Sequence, residues 1–494
     1  MINLPIAILT DSYKAGHFSQ YPDAREMVAY GEFRKAHPDS NDDRIVYYGI
    51  RYIVENYLEK RWTVQDVEQA ALFYSTHNVL GTEYPFPKDL FLKFVEENDG
   101  YFPITLESLP DGSVVYPHVP LYQITARGEY ARLVTFMETL LTMVWYPSSV
   151  STLSRIAKET ITKAFDHSVD DDVRYLIPSR LHDFGFRGCT SVEQSVLGGL
   201  AHLLNFEGSD TMSACFYGQF TLNNGKPIAS SIPATEHSVM TSWETELEAV
   251  LNMVEQYGHS VFATVADSYD YQNFLDTVLP VVAPLVKAKG GTHVIRPDSG
   301  EPIECVLQGL DACAKHYGYT VNSKGFKVLN NSAVIQGDGI DINVVYHILD
   351  AVIAAGYSAQ NVAFGMGGGL LQKNCNRDTL SMATKLCYIE YADGEARDVM
   401  KAPKTDSGKF SLPGKLKVSN INGALTTFPG EAVVVNELRV VYDCHPVKVE
   451  WGIDTDWGTF DEVRVFLEES WKRSPRQHNA VSEQLQKKIE VLRK

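Results

Sequence analysis

The sequence predicts an α/β protein, with a parallel (β/α) barrel in mid-chain and an α+β domain built from the N- and C-terminal parts. Three observations carry this. Between Thr292 and Lys373 one pattern occurs three times: a short β-branched run, a polar or glycine motif, then a helix-compatible segment. The runs are His293-Val294-Ile295, Ala333-Val334-Ile335 and Val362-Ala363-Phe364, and buried parallel strands read as such continuous apolar stretches. Strand signals recur roughly 30 to 40 residues apart with a helix between, the rhythm of a barrel or an open sheet. Polar motifs stand at the ends of at least four of these strands, which favours a barrel whose loops converge on one mouth.

In chain order, Pro5 to Thr10 reads as a strand, and Asp11 before Ser12-Tyr13-Lys14 reads as a helix N-cap. Tyr47 to Lys60 carries a helical apolar period, and Leu133 to Trp145 repeats it more strongly, with Pro147 as its expected stop. The acidic stretch from Asp166 to Asp172 marks a boundary. Leu181 to Gly188 leads into a small-residue helix from Glu193 to Leu204, and Val261 to Val265 reads as a strand ending at Asp267-Ser268. A helix follows from Tyr271 to Lys289, and another from Ile342 to Ala355 suits the outer ring. After Asp378 the repeat fades into a basic loop, Met400 to Lys417; Ala432 to Val441 returns to strand character, and the tail from Asp461 is helical. The expected division is 1–172 as an N-terminal α+β domain, 173–395 as the barrel, and 396–494 packing with the N-terminal part.

At 494 residues, with 44% hydrophobic and 21% charged residues, the chain has ample material for such cores. A net charge of −18 argues against nucleic-acid binding, which needs a basic field. Seven scattered cysteines without a C-x-x-C pair point to reduced thiols in a cytoplasmic protein and away from structural zinc. The most hydrophobic run, Leu133 to Trp145, is too short to span a bilayer, so no membrane segment is expected.

The motifs suit a sugar phosphate. Gly365-Met366-Gly367-Gly368-Gly369 follows a strand, where backbone N–H groups can face phosphate, although a tight structural turn uses the same residues. Asp298 and Asp338 end neighbouring repeats; such carboxylates accept ribose hydroxyls, hold Mg²⁺, or cap loops. Arg296 offers a planar fork for an anion or a carbonyl. His237 alone reads as a loop or core histidine. The basic series Lys373, Arg377, Lys385, Lys401, Lys404, Lys409, Lys415 and Lys417 is a solvated face or a polyphosphate pocket.

Eight segments in order resemble the nicotinamide phosphoribosyltransferase family of type II phosphoribosyltransferases. They are DSYKAGHF (Asp11–Phe18), LHDFGFRG (Leu181–Gly188), NFEGSDT (Asn205–Thr211), ATEHS (Ala234–Ser238), DSYD (Asp267–Asp270), IRPDSG (Ile295–Gly300), VIQGDGIDIN (Val334–Asn343) and FGMGGGLLQK (Phe364–Lys373). The resemblance implies an irregular (β/α) barrel of the type II kind and transfer of phosphoribose from 5-phosphoribosyl 1-diphosphate to nicotinamide, with Mg²⁺. It implies a homodimer with active sites at the interface, so that Phe184 stacks on one face of the pyridine and Tyr13 of a second copy on the other. Asp210 would accept the carboxamide NH₂ and Arg296 would bind its far end; Asp11 and Arg187 join the substrate-binding set. Asp298, Gly337 and Asp338 would hold ribose, and Gly367 and Gly368 the 5′-phosphate, with Arg377 and Lys385 reaching in from the partner. Lys401 and Lys409 would meet pyrophosphate, and Asp267 with Asp298 would hold Mg²⁺. His237 matches the family histidine phosphorylated by ATP, which makes His237, Asp298 and Asp338 the catalytic set. Ala383 departs from relatives that place a serine there. The rival readings are a nicotinate phosphoribosyltransferase and a non-catalytic binding protein on the same fold.

Overall fold

The computed structural model describes residues 4–373, 375–404, 410–444 and 457–493. Contacts divide the chain into two compact units, Leu153–Cys375 and Met1–Thr152 with Asn376–Lys494. These limits fall earlier than the compositional ones at 172 and 395. The helix Trp145–Ser168 carries the chain across the first limit, and the strand Ala383–Tyr391 pairs antiparallel with Ala24–Glu32, which puts it in the terminal unit.

The central unit is built on six parallel strands: β1 (Leu181–Asp183), β2 (Gly208–Ser209), β3 (Val261–Val265), β4 (Thr292–Arg296), β5 (Ser332–Gln336) and β6 (Val362–Met366). Their order is β2-β1-β6-β5-β4-β3. The two edges meet one further segment, because Gly208 bridges Ser230 and Ala263 bridges Ala234, both in parallel. Ser209 N–H donates to Ser230 O (3.2 Å) and Ala263 N–H to Pro233 O (2.9 Å). The sheet therefore closes through residues 230–235, where Pro233 lacks the donor of a regular strand. The expected irregular barrel is what the chain forms.

Residues on one face of these strands, Ala263, Val294, Ile335 and Ala363, form the barrel interior with Ile232 and Phe184. The opposite face packs on helices. In Ile342–Ala354, Asp341 caps the first turn by accepting from Asn343 and Val344 N–H, and Ile342, Val345, Ile348, Leu349 and Val352 are buried. The helix expected from Ile342 to Ala355 is present, with Ile353 half-buried at the edge of that face. The helix Leu279–Lys289 stops at Gly290, whose φ of +78° a side chain would strain.

The terminal unit holds a six-stranded antiparallel sheet in the order Ala396–Asp398, Ala383–Tyr391, Ala24–Glu32, Pro120–Arg127, Thr105–Ser108, Arg439–Asp443. Its core is aromatic: Trp62 contacts Phe91, Phe94, Phe102 and Phe136 with ring centroids 5.3 to 6.1 Å apart. Three local expectations fail here. The Pro5–Thr10 run is a 3₁₀ turn at Ile6–Ile8; Ile6 and Ala7 bury themselves in the core without a partner strand. Pro147 ends nothing, since it lies in the first turn of Trp145–Ser168, where its missing N–H would have no helical partner anyway. The expected strand from Ala432 narrows to Arg439–Asp443, and Val433 and Val435 are exposed. Among the described residues no helix is long and apolar enough to cross a membrane.

Candidate active site

Every parallel strand ends in a candidate residue, so the closed sheet gathers them at its C-terminal rim. Phe184 follows β1, and its N–H donates to Met366 O (3.1 Å), prolonging the ladder by one residue. Its half-buried ring is set down on glycine: a Cβ on Gly365 would lie 2.0 Å from the ring, and one on Gly337 3.3 Å from the ring and 3.8 Å from Arg296 Cδ. Gly365 is thus required for the ring to lie where it does, and Gly337 leaves a tight fit between the ring and the Arg296 stem. Asp183 beneath them is buried; one oxygen accepts Gly185 N–H at 2.7 Å, and the other faces the Thr211 hydroxyl without closing a well-aligned hydrogen bond. Burial, reinforced by Asp210, pushes the Asp183 carboxyl up to about 6.

Asp210 follows β2 and its N–H donates to Asp183 O (3.0 Å), so it stands beside the Phe184 turn. The Ser231 hydroxyl donates to its carboxylate. Arg187 is exposed one turn beyond Phe184.

A second cluster sits across β3 and β4. His237 Nε2 lies 3.3 Å from Asp298 Oδ2 and 3.9 Å from Asp267 Oδ1, and its Nδ1 is 3.2 Å from Ser268 Oγ. Asp267 Oδ2 accepts Asp298 N–H (2.9 Å) and Ser299 Oγ–H (2.5 Å). The other oxygen, Oδ1, is buried with no hydrogen-bond partner, as is Arg296 Nε, which stands 3.7 Å from Asp298 Oδ1. Unpaired polar atoms of this kind are costly unless a ligand meets them.

The glycine motif divides between the two readings open for it. A Cβ at Gly369 would collide with Ile340 O at 2.2 Å, so Gly365 and Gly369 are packing glycines. At Gly368 the nearest atom is Gln372 Oε1 at 3.6 Å, which leaves it open to a ligand, whereas a Cβ at Gly367 would press on Phe184 O at 3.2 Å. Asp338 is exposed one residue beyond Gly337, and Gln336 Nε2 donates to its carbonyl (3.3 Å).

The terminal unit gathers a separate set. Arg377, Lys385 and Lys401 line a cavity of about 520 Å³ with Arg34 and Lys35. Burial lowers the pKa of the Lys385 ammonium, and the nearby cations Arg34 and Lys401 add to this. Tyr13 is half-exposed on Ser12–Gln20, and it feels the fields of Asp11 and Arg377. Asp11 is the N-cap residue, yet its side chain accepts Thr139 Oγ–H (2.9 Å) rather than a helix N–H. Lys373 is taken by Asp341 at 2.7 Å and Lys415 by Glu26, while Lys409 lies outside the described residues.

Three contributors escaped the sequence reading. Arg34 and Lys35 are far in sequence from the other cations. Ser231 lies in no recognisable motif, and only folding brings it to Asp210.

Residues 179–445 match the model of the "Nicotinate phosphoribosyltransferase (NAPRTase) family", and residues 5–106 that of "Nicotinamide phosphoribosyltransferase, N-terminal domain". The chain is 40% identical over 415 residues to a nicotinamide phosphoribosyltransferase of Xanthomonas campestris, covering 82% of this chain and 86% of that protein. It is 28% identical over 498 residues to one of Acinetobacter baylyi, covering 92% and 96%. Among solved structures, human nicotinic acid phosphoribosyltransferase superposes with a TM-score of 0.62 at 17% identity, covering 98% of this chain and all of that one. The nicotinate-nucleotide pyrophosphorylase of Pyrococcus furiosus gives 0.60 at 13% identity, covering 96% and 97%. At these identities the two structures speak for the fold alone.

Proposed function

We infer the activity from the family to which this chain belongs, the nicotinamide phosphoribosyltransferases. The protein is an enzyme that transfers the phosphoribosyl group of 5-phosphoribosyl 1-diphosphate to nicotinamide, giving nicotinamide mononucleotide and pyrophosphate for NAD salvage. One observation supports the assignment of roles best: a bare aromatic face, Phe184, shares a barrel rim with Asp210, Arg296, Asp267 and Asp298.

The pyridine nitrogen attacks the anomeric carbon as the bond to pyrophosphate breaks. That nitrogen carries no proton, so no general base is required. Phe184 would orient the ring, Asp210 would accept from the carboxamide NH₂, and Arg296 would donate to its oxygen. Asp298, Gly337 and Asp338 would hold ribose, and Gly367 and Gly368 would admit the 5′-phosphate. The residue types favour an amide over a carboxylate, because a nicotinate anion would face the Asp210 carboxylate.

Mg²⁺ fits the Asp267–Asp298 pair, since Asp267 Oδ1 is a buried acceptor without a partner. Among the described residues no group of three or more His, Cys, Asp or Glu is arranged to hold a metal. Asp267 and Asp298 would hold the ion, which would supply positive charge to offset that of a departing pyrophosphate. ATP would be the co-substrate: a ring nitrogen of His237 takes the γ-phosphoryl group as the P–O bond to ADP breaks, and water later takes the phosphoryl from nitrogen. In a homodimer, Tyr13, Arg377, Lys385 and Lys401 of one subunit would serve its partner's barrel. Arg377, Lys385 and Lys401 line one cavity of the terminal unit, which suits a shared anionic ligand. The seven cysteines are all free, which supports a cytoplasmic protein.

The test is product formation from 5-phosphoribosyl 1-diphosphate with nicotinamide and nicotinate in parallel, each with and without ATP. Nicotinamide turnover increased by ATP is expected. Preferential nicotinate turnover would overturn the Asp210 assignment, and no turnover of either base would favour a binding protein.

A further inference from the structure

Beside the cation cavity of the terminal unit stands a carboxylate outside every motif of the sequence. Glu32 ends the strand Ala24–Glu32 and is fully buried. A buried carboxylate is costly unless its oxygens are met, and here they go to different partners. Arg34 Nε–H donates to Oε1 at 2.6 Å, and His118 Nδ1 lies 3.2 Å from Oε2. An ionised carboxylate only accepts, so Nδ1 carries the proton. Arg34 lines the cavity with Arg377, Lys385 and Lys401; its side chain is 9% exposed, and its Nη2 is buried with no hydrogen-bond partner. His118 is itself fixed from three directions. Its N–H donates to Phe33 O (2.8 Å), its carbonyl accepts Thr427 Oγ–H (2.9 Å), and its ring stacks on Phe410 with centroids 4.8 Å apart. It holds this place at a φ of +69°, a left-handed backbone that side chains seldom adopt.

We propose that Glu32 and His118 are positioning residues for Arg34, dividing one carboxylate so that Arg34 is anchored through Nε and keeps a terminal N–H for a substrate phosphate. This rests on the reading of the cavity as a site for the phosphates of 5-phosphoribosyl 1-diphosphate. A carboxylate that turned both oxygens on Arg34 would occupy the paired N–H fork with which a guanidinium meets phosphate. His118 takes the second oxygen, and Nη2 is left over. Without Glu32, the guanidinium would face Lys35, Arg377, Lys385 and Lys401 with no anion to hold it against like charge. The strained residue is the telling one. The turn that Val119 N–H closes onto Tyr116 O (3.1 Å) would form more easily with a glycine between them. The imidazole adds a stack on Phe410 and a donor to Glu32, and only the donor reaches Arg34.

The experiment compares Arg34→Ala, Arg377→Ala, Glu32→Gln, His118→Gly and His118→Asn in the full-length protein. Pyrophosphate binding by calorimetry, KM and kcat for 5-phosphoribosyl 1-diphosphate, and Tm are measured on each. Arg34→Ala should weaken pyrophosphate and raise KM on the order of ten- to a hundredfold, with a smaller change in kcat. His118→Gly relaxes the backbone and should hold its Tm, yet raise KM on the order of tenfold as Glu32 turns both oxygens on Arg34. His118→Asn tolerates the same backbone and returns an N–H donor without a ring to stack, so it should recover most of that loss. Glu32→Gln sets an NH₂ against His118, drops the charge that holds Arg34, and should raise KM at least as far as His118→Gly. If neither Arg34→Ala nor Arg377→Ala changes pyrophosphate binding or KM, the cavity reading fails and the proposal with it. If only Arg377→Ala weakens binding, the cavity reading stands and Arg34 has no ligand to be positioned for. If Arg34→Ala weakens binding while His118→Gly and Glu32→Gln bind as wild type does, the cavity reading stands and the positioning role is overturned. Equal losses in His118→Gly and His118→Asn, with a lowered Tm, would reduce His118 to a packing partner of Phe410 and overturn the role as well. Should Glu32→Gln not fold, the two His118 variants decide between these outcomes.

Discussion

Two interiors in this chain are filled on opposite principles. In the terminal unit, Trp62 and the phenylalanines around it interlock with nothing exposed, and Tyr122 is so tightly placed that a Cβ on Gly31 would lie 2.3 Å from its ring. In the barrel, the interior is made of Ala263, Val294, Ile335 and Ala363, side chains too small to fill the rim, and Phe184 is left half-exposed above them. Two sets of buried carboxylate and amide oxygens also differ. Asp111 in the terminal unit receives Gly49 and Ile50 N–H at 2.8 and 3.2 Å, whereas Asp183, Asp267 and Gln336 at the rim each keep an oxygen without a hydrogen bond. Unpaired buried atoms are not confined to the rim, since Trp62 Nε1 in the aromatic core also has no hydrogen-bond partner, but at the rim they are carboxylate and amide oxygens beside the candidate residues.

The largest effect expected from this contrast is in pH-dependent stability. Burial pushes both the Asp111 and Asp183 carboxyls up to about 6, from an ordinary 3.8. A carboxyl raised in the folded state favours folding fully below its unfolded pKa, and that contribution is lost as pH rises through the folded value. Each charge therefore costs up to about 3 kcal/mol above pH 6. Asp183→Asn removes the charge and offers its amide N–H to the Thr211 hydroxyl, so its Tm should exceed wild type at pH 7.5 and converge with it near pH 4. Asp111→Asn keeps an oxygen for Gly49 and Ile50 N–H, which both meet Oδ1, but it removes the negative charge that the N–H groups at the opening turn of Ile50–Ile53 favour and turns an NH₂ donor toward the same turn. Its Tm should not rise. Equal gains in the two variants would erase the distinction between core and rim.

Matched glycines sharpen the contrast next. Gly31→Ala drives a methyl into the fully buried Tyr122, which has nowhere to go, and should cost about 1 to 3 kcal/mol in denaturant titration. Gly365→Ala drives one into Phe184, which can swing outward. It should leave the melting curve nearly unchanged and lower kcat/KM for nicotinamide about a hundredfold, because the stacking platform moves. A Gly365→Ala enzyme with normal kcat/KM would remove Phe184 from the base pocket.

At Asp210 the effect is smaller. Asp210→Asn keeps a carbonyl acceptor for the Ser231 hydroxyl but drops the charge that repels a carboxylate. The preference for nicotinamide over nicotinate should narrow roughly tenfold, read as the ratio of the two kcat/KM values. An unchanged ratio would return the specificity to some other group.

What the sequence disclosed follows the same line. The barrel was legible because parallel strands buried on both faces must be short apolar runs, and the polar residues that end them cannot be part of that run. His293-Val294-Ile295 and Val362-Ala363-Phe364 could hardly be anything else. The closure through residues 230–235 was hidden, since Pro233 suppresses the strand pattern that would have marked it. Pro147 misled because its position within a helix, not its presence, decides whether it breaks one. The Pro5–Thr10 run misled because apolar character promises burial and not pairing. Ser231 carries no local signature, for its contact with Asp210 arises only where segments from distant parts of the chain meet.

The smallest predicted effect concerns the cation cavity of the terminal unit, a polar site made by accumulating like charge rather than by leaving acceptors bare. Lys385 is half-buried there near Arg34 and Lys401, and burial first, then those cations, lower its pKa. Its positive charge is therefore lost earlier than usual as pH rises, and a bound phosphate would lose part of its attraction over the same interval. KM for 5-phosphoribosyl 1-diphosphate should climb several-fold toward alkaline pH in the wild-type enzyme while kcat changes less. Lys385→Arg keeps its charge throughout and should flatten that climb, although its planar fork will not reproduce the geometry of an ammonium. Lys385→Met should start at the raised KM and show no climb. If all three enzymes share one pH profile, Lys385 does not meet the substrate, and the cavity is a solvated basic face of the kind its charge run first suggested.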